Sequence, residues 1–266
     1  MTDARPIAIF DSGIGGLTVL SALRRRLPGE SFVYLGDTAR LPYGTKSAAT
    51  VTRYALRAAE YLLGQGTKML VVACNTASAA ALPTLKARLP LPVVGVVTPG
   101  ARAAVRVTSG RIGLIATEST VASGAYEKAV RRLRPDVSVL SRACPLFVPL
   151  AEEGWFDHPV TREVARIYLA DLRDEGIDTL ILGCTHYPLL REAIAEAVGA
   201  GVRLVDSAWA VAEQVGEILI RRAVAAPEGS GQVRLLVTDA AARISRIARL
   251  ILPEHDGGLE LVDLPV

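Results

Sequence analysis

Cysteine is scarce in this sequence, and long hydrophobic runs are absent from it. Only three of the 266 residues are cysteines. They lie far apart, and their odd number argues against a disulfide framework. Free thiols are typical of a reducing compartment, so we expect a cytoplasmic protein. No apolar run approaches the length that spans a bilayer, and the N-terminus lacks the pattern of a signal peptide, so we expect no membrane association.

A strong net charge is also missing. The 30 Lys and Arg residues nearly balance 27 Asp and Glu residues, which leaves a formal net charge of +3. The densest basic cluster, Arg24–Arg26, has no aromatic residues interleaved with it for base stacking, so we expect no nucleic-acid partner. The composition, 50% hydrophobic and 21% charged, is typical of a globular protein. The length allows one large domain or two smaller ones.

The sequence does contain a regular alternation of short apolar runs and longer amphipathic segments. Near-continuous runs of Val, Ile and Leu predict parallel strands that are buried on both faces. Amphipathic helices are predicted at Ser47–Leu63, Ser119–Leu133 and Thr161–Glu175. The alternation predicts an α/β fold with mainly parallel sheets flanked by helices. The predicted strands are Pro6–Phe10, Ser31–Gly36, Lys68–Ala73, Leu91–Val97, Arg111–Ala116, Val137–Ala143, Thr179–Gly183, Val202–Asp206 and Gln232–Thr238.

The chain also looks internally duplicated. IAIFDSG, from Ile7, resembles IGLIATE, from Ile112. VYLGDTARLPYG, around Asp37, precedes CNTAS, just as VLSRACPLFVPLAEEG, around Cys144, precedes CTHYP. The offsets are about 105, 107 and 110 residues, and three pairs in the same order predict two similar α/β halves.

The duplication suggests how the chain divides into domains. The segment after Asp206 has no counterpart, and we expect it to pack back on the first half. We therefore expect a first domain of residues 1–97 plus 207–266 and a second domain of residues 98–206. The polar stretch Ala226–Gln232 predicts a surface loop within the returning segment.

Two cysteines occupy matching places in the two halves. Cys74 follows a predicted strand and precedes Asn75 and Thr76, whereas Cys184 follows another and precedes Thr185 and His186. In open parallel sheets, ligands bind beyond the carboxyl ends of the strands. If the two halves face each other, each contributes one strand-end cysteine to a shared cleft.

Two opposed thiols suit a racemase. Such an enzyme removes a proton from one face of a carbon and returns a proton to the other face, which requires a base and an acid on opposite sides. A thiol of pKa about 8.5 becomes a base near neutral pH when a helix N-terminus or a cation lowers that pKa. Asp11, Asp37 and one of the pair Glu152 and Glu153 are candidates to orient the thiols or assist proton transfer.

Other interpretations compete for individual residues. A cysteine after a strand is most often a small buried residue, and this is our interpretation of Cys144. Gly13–Gly16 resembles a phosphate loop only weakly, because the GxGxxG spacing and the Gly-Lys-Ser/Thr ending are missing. The cysteines and His186 lack the close spacing of a zinc site, so no metal is expected. Lys46 and Lys68 lie nearest these motifs, but no pyridoxal site is recognisable.

Several blocks together resemble the glutamate racemases, cofactor-independent enzymes that interconvert L- and D-glutamate for bacterial peptidoglycan. The blocks are IAIFDSGIGGLTVL, YLGDTARLPYGTKS, VVACNTASA, CPLFVPLAEEG, LILGCTHYPLL and VDSA. The resemblance extends as far as Ala208, and the C-terminal quarter matches loosely. It implies two α/β domains with the active site in the interdomain cleft, glutamate as substrate, no cofactor and a homodimer.

The resemblance also implies roles for individual residues. Cys74 and Cys184 are expected to exchange protons with the substrate, assisted by Asp11 and His186 on their respective sides. Glu152 is preferred to its neighbour Glu153 as the assisting carboxylate. The expected substrate contacts are Asp11, Ser12, Asp37, Tyr43, Gly44, Asn75, Thr76, Thr185 and His186.

Three rival functions remain open. A racemase acting on aspartate or another small acid is the nearest, although the DSGIGG opening favours glutamate. A non-enzymatic binding protein for an acidic amino acid would need neither thiol. A thiol hydrolase or lyase would use one cysteine as the nucleophile and leave the second without a role.

Overall fold

The strands of the protein form two parallel sheets. The computed structural model describes residues 2–227, 229, 231–255 and 258–264. The first sheet has six strands in the order β10–β9–β2–β1–β3–β4, and the second has four in the order β6–β5–β7–β8. The strands are β1 Ile7–Asp11, β2 Phe32–Gly36, β3 Met69–Val72, β4 Val93–Gly95, β5 Arg111–Ala116, β6 Ser138–Ala143, β7 Thr179–Gly183, β8 Arg203–Val205, β9 Val233–Val237 and β10 Leu259–Leu261.

Helices connect the strands and flank both sheets. Short 3-10 helices occur at Thr38–Arg40, Tyr43–Thr45 and Tyr187–Leu190. The α-helices are α1 Leu17–Arg26, α2 Ala48–Gly64, α3 Asn75–Arg88, α4 Val97–Val107, α5 Glu118–Ala122, α6 Ala125–Leu133, α7 Phe147–Glu152, α8 Pro159–Asp174, α9 Arg191–Val198, α10 Ala208–Arg222 and α11 Ala241–Ile251. We call the first sheet with α1–α3, α10 and α11 the first half, and the second sheet with α4–α9 the second half.

Each sheet is buried on both faces, which explains the apolar runs. Successive side chains of a strand point to opposite faces. Ile7 and Ile9 of β1 therefore belong to one apolar cluster, while Ala8 and Phe10 belong to the cluster on the other face. In β7, Leu180 likewise belongs to one apolar cluster and the next residue, Ile181, to the cluster on the other face. Strands that are buried on both faces in this way consist almost entirely of hydrophobic residues.

The duplication is visible in the sheet topology. The order β2–β1–β3–β4 in the first sheet repeats as β6–β5–β7–β8 in the second. The C-terminal strands β9 and β10 extend only the first sheet, at its β2 edge, through parallel pairing of β9 with β2. Helix α10 contacts both α1 and α4. Strand β9 of the C-terminal segment thus belongs to the first sheet, whereas helix α10 contacts one helix of each half.

The predicted elements differ from the structure in two places, and one prediction lies partly outside the described residues. Strand β10 was not predicted, because Leu259–Leu261 is a short edge strand with a charged residue at its centre. The helix predicted at Ser119–Leu133 is two helices, interrupted at Gly124, whose φ of +60° is left-handed and favours glycine. The loop predicted at Ala226–Gln232 includes positions 228 and 230, which lie outside the described residues.

The helices are those of a globular core. Within the described ranges, no helix combines the length and the apolar character that crossing a membrane requires.

Candidate active site

The carboxyl ends of the strands of both halves enclose one cavity of about 220 Å³. Nine of the twelve residues predicted for the site line it. They are Ser12, Tyr43, Gly44, Cys74, Asn75 and Thr76 from the first half, and Cys184, Thr185 and His186 from the second. The other three, Asp11, Asp37 and Glu152, do not line the cavity, but each contacts a residue that does. The arrangement brings the two strand-end cysteines, 110 positions apart in the sequence, to the same small space.

Cys74 is held at the beginning of helix α3. Its Sγ accepts a hydrogen bond from the backbone N–H of Ala77 at 3.4 Å and lies 3.5 Å from Ser12 Oγ. Burial raises the pKa of this thiol to about 12, with a further contribution from the Asp11 carboxylate, and the contacts to Ser12 and Ala77 offset only part of this rise. Cys74 is therefore a thiol at neutral pH.

Cys184 lies beside a charged histidine. Its Sγ is 3.8 Å from His186 Nδ1, and His186 Nε2 lies 3.4 Å from Glu152 Oε1. Burial would lower the pKa of His186, but hydrogen bonds and charges from Cys184 and Glu152 outweigh it and raise that pKa to about 10. His186 is therefore an imidazolium at neutral pH. The exposed neighbour Glu153 does not share this position.

Asp11 organises the glycine-rich loop that follows β1. Its Oδ2 accepts hydrogen bonds from the N–H groups of Gly13 and Gly16, at 3.0 and 3.1 Å. These amides bind the protein's own carboxylate, which leaves the loop no role as a phosphate loop. Asp11 Oδ1 accepts from Thr185 Oγ1 at 3.4 Å, so this buried carboxylate also links the first half to the second.

The middle of the same loop presses against the second half. A methyl group on Gly15 would lie 2.5 Å from Thr185 Oγ1 and 2.6 Å from His186 Nδ1. Real Cβ atoms do not approach other atoms so closely. Only glycine allows this contact, and the contact fixes where His186 stands relative to Cys184.

Asp37, predicted as a substrate contact, does not line the cavity. Its carboxylate accepts hydrogen bonds from Tyr43 Oη at 2.6 Å, Arg40 Nη1 at 3.1 Å and Thr238 Oγ1 at 3.0 Å. A fully buried carboxylate with three donors is satisfied without a ligand. Asp37 therefore holds Tyr43, which does line the cavity, and its direct contact with a substrate has no support in this geometry.

Comparison with known proteins identifies the family. The family model described as Asp/Glu/Hydantoin racemase matches residues 17–215. The chain belongs to this racemase family. A curated glutamate racemase of Geobacter metallireducens is 53% identical over 262 residues, which cover 98% of this chain and 97% of that protein.

Solved structures agree with the family assignment. A glutamate racemase isoform of Bacillus anthracis superposes with a TM-score of 0.94 at 41% identity, covering 98% of each chain. The glutamate racemase of Francisella tularensis, solved with D-glutamate, superposes with a TM-score of 0.92 at 36% identity, again covering 98% of each chain. The chain is therefore an isomerase of the racemase class with the two-sheet α/β fold of these proteins.

Some residues that line the cavity of this racemase are not among the twelve predicted site residues. Thr117 follows β5 directly, so the rule that points to strand ends also points to it. Its hydroxyl lies 2.9 Å from Thr76 Oγ1 and 2.9 Å from Thr120 Oγ1, and the three hydroxyls form a buried cluster across the two halves. The remaining walls come from loops and helices without a strand-end signal, namely Leu41, Pro42, Thr45, Glu118, Pro145, Val148 and Pro149.

The other candidates of the sequence lie away from the cavity. Cys144 is fully buried and does not line it. Lys68 precedes β3, at the opposite end of the strand from Cys74, and its Nζ forms a buried ion pair with Glu30 at 2.7 Å. Lys46 is not among the lining residues. Over the described ranges, no group of three or more His, Cys, Asp or Glu residues is arranged to hold a metal ion.

Proposed function

We propose that this protein interconverts L- and D-glutamate by passing protons between the α-carbon and two cysteines on its opposite faces. One observation carries the proposal. Cys74 and Cys184 follow the equivalent strands of the two halves and line the same cavity of about 220 Å³. One face of the carbon needs a base and the other an acid, and a pair of thiols in one small cavity supplies both.

Glutamate is the proposed substrate for two reasons. The close relatives compared above are glutamate racemases, and one of these was solved with D-glutamate. In addition, the hydroxyls of Ser12, Thr76 and Thr185 and the amide of Asn75 line the cavity. Donors of this kind bind carboxylates, and the hydroxyls among them stabilise the negative charge that develops on the α-carboxylate when the α-proton leaves.

The proton transfer follows from the charges around the two thiols. A thiolate takes the α-proton, and the electron pair of the broken C–H bond stays on the α-carbon and spreads into the carboxylate. The opposite thiol then donates its proton to the other face. The His186 imidazolium, 3.8 Å from Cys184 Sγ, stabilises a Cys184 thiolate. When Cys184 is the base, Cys74, whose thiol has a pKa of about 12, donates the proton to the other face. The roles reverse for the other enantiomer, and no cofactor takes part.

The test of the proposed reaction uses dialysed protein and no added cofactor. With L-glutamate as the starting material, the optical rotation is expected to decay to zero as D-glutamate reaches the same concentration as L-glutamate. The same assay with L-aspartate tests the nearest rival function, a racemase that acts on aspartate. Racemisation of aspartate with unchanged glutamate would make the substrate assignment wrong. Binding of glutamate without racemisation would favour the binding-protein hypothesis.

Glu152→Gln is expected to move the high-pH limit of activity to lower pH. Glu152 contributes to the raised pKa of His186, about 10, so the imidazolium persists below that pH and is lost as the pH rises through it. Without the carboxylate, His186 loses its proton at a lower pH, and kcat/KM falls there. The measurement is the profile of kcat/KM from neutral pH to about pH 10.

Glu153→Gln is the matched control for this profile. Glu153 is the exposed neighbour on the same turn, so the variant removes one carboxylate without changing the surroundings of His186. Its profile is expected to follow that of the wild type. An unchanged high-pH limit in Glu152→Gln would contradict a role for Glu152 in keeping His186 protonated.

The proposal extends to the setting of the enzyme. On the strength of the resemblance, we propose that it supplies D-glutamate for peptidoglycan, in the cytoplasm, as a homodimer. We also propose a first domain of residues 1–97 plus 207–266 and a second of residues 98–206. Parallel order within each sheet and the pairing of β9 with β2 support this division. Sedimentation velocity of the purified protein tests the dimer.

A further inference from the structure

The Asn75 side chain, which lines the cavity, carries a buried donor without a partner among the described residues. Asn75 is 3% exposed, it lines the cavity, and its Nδ2 has no hydrogen-bond partner among the residues that the structure describes. A buried amide donor without a partner is unfavourable, so such a group usually meets a ligand or an ordered water. A free N–H donor on a side chain that lines a cavity of this size suits one oxygen of a carboxylate.

The other end of the same amide is held by a tyrosine from the second half. Tyr126 Oη donates a hydrogen bond to Asn75 Oδ1 at 2.6 Å. Tyr126 lies in α6 and is fully buried, whereas Asn75 begins α3 in the first half. Because the tyrosine hydroxyl occupies the carbonyl oxygen, the amide cannot rotate without breaking this bond. The NH₂ group of Asn75 is thus directed away from Tyr126.

The surroundings of Tyr126 keep it a donor. Burial raises the pKa of its hydroxyl, and nearby charges on Cys184 and Asp206 raise it further, so the hydroxyl stays protonated at any pH at which the protein works. The backbone of α4 passes close to the hydroxyl at Gly100, where a methyl group would lie 3.1 Å from Tyr126 Oη. The hydroxyl is therefore confined between α4 and Asn75.

We propose that Tyr126 is a positioning residue that orients the Asn75 amide so that Nδ2 binds a carboxylate oxygen of the substrate. This inference rests on the proposed function. Tyr126 does not line the cavity and acts only through Asn75. Since the two residues belong to different halves, the amide is aimed correctly only while this hydrogen bond between the halves is made. The relative placement of the two halves and substrate binding are therefore linked through this bond.

The test is a double-mutant cycle of Tyr126→Phe and Asn75→Ala, assayed by glutamate racemisation. Phenylalanine keeps the buried ring and removes only the hydroxyl. Loss of one oriented hydrogen bond to a charged group is expected to raise KM about tenfold. The value of kcat is expected to change less than about threefold, because a bond made equally in ground state and transition state affects KM alone. In the Asn75→Ala background, Tyr126→Phe is expected to have no further effect on KM.

A second buried tyrosine supplies the control. Tyr187 is also fully buried in the second half, and its hydroxyl donates to the backbone carbonyl of Cys144 at 2.9 Å. Tyr187→Phe is expected to leave the KM of glutamate unchanged, and thermal unfolding of each variant reports any general loss of stability. Equal KM values for wild type and Tyr126→Phe, or additive effects in the cycle, would overturn the positioning role. Absence of glutamate racemisation in the wild type would instead overturn the proposed function.

Discussion

Replacing either Cys74 or Cys184 with alanine is expected to lower kcat for glutamate racemisation about 10²- to 10⁴-fold, the range that positioned proton transfer contributes. Each thiol is the acid or base for one face of the α-carbon, and the other thiol cannot reach that face. The two variants are therefore expected to lose racemisation to a similar extent. The measurement is the initial rate from each enantiomer at saturating concentration.

Cys144→Ala is the matched control for these variants. Cys144 is as deeply buried as the other two cysteines, and burial likewise raises its pKa, to about 12. It does not line the cavity, however, and its Sγ contacts only the Arg142 carbonyl, at 3.8 Å, among the hydrogen bonds of the described residues. The kcat of the Cys144→Ala variant is expected to stay within about twofold of the wild-type value, because this core substitution leaves the site intact. Near-normal racemisation in Cys74→Ala or Cys184→Ala would contradict the two-base mechanism.

Gly15→Ala is expected to lower kcat/KM about 100-fold, the cost of displacing reacting groups by about 1 Å. The added methyl group would stand 2.5 Å from Thr185 Oγ1 and 2.6 Å from His186 Nδ1, and 2.8 Å from the backbone nitrogen of His186. The backbone cannot yield as a flexible side chain would, so the two halves must move apart or His186 must leave its place beside Cys184. Both outcomes misplace the charge that stabilises the thiolate.

Gly64→Ala provides the corresponding control. Gly64 is the last residue of α2, and a methyl group there would meet no atom within 4 Å. Alanine favours helix over glycine, so this variant is expected to be as active as the wild type and slightly more stable. If Gly15→Ala kept normal kcat/KM with an unchanged pH profile, the close contact between this loop and His186 would not be needed for activity.

Much of the architecture follows from the pattern of apolar residues. The runs Arg111–Ala116 and Thr179–Gly183 coincide with β5 and β7, because buried parallel strands are near-continuous in apolar residues and only the first residue of each run is polar. The repeated motifs predict two similar halves, and the strand order of the first sheet is repeated in the second. The strand-end rule places each cysteine at the carboxyl edge of its own sheet, and these two edges meet at one cavity.

The supporting residues could not be predicted in this way. Tyr126 reaches Asn75 from a helix of the other half, and only the packing of α6 against α4 determines where its hydroxyl lies. Glu152 and Glu153 are adjacent in the sequence, and the rotation of the chain at the end of α7 decides which one meets His186. Asp37 was predicted to contact the substrate because it follows a strand, but its carboxylate accepts a hydrogen bond from Tyr43.

The isotopic composition of substrate and product early in the reaction tests the two-base proposal most directly. L-glutamate carrying an ordinary α-proton is incubated with the protein in deuterium oxide, and both enantiomers are separated and analysed by mass spectrometry before a tenth of the substrate is converted. If one cysteine removes the proton and the opposite cysteine supplies another from solvent, D-glutamate carries deuterium while the remaining L-glutamate keeps its proton. D-glutamate that retains the original proton, or L-glutamate that exchanges as fast as it inverts, would show that a single base serves both faces and would contradict the account.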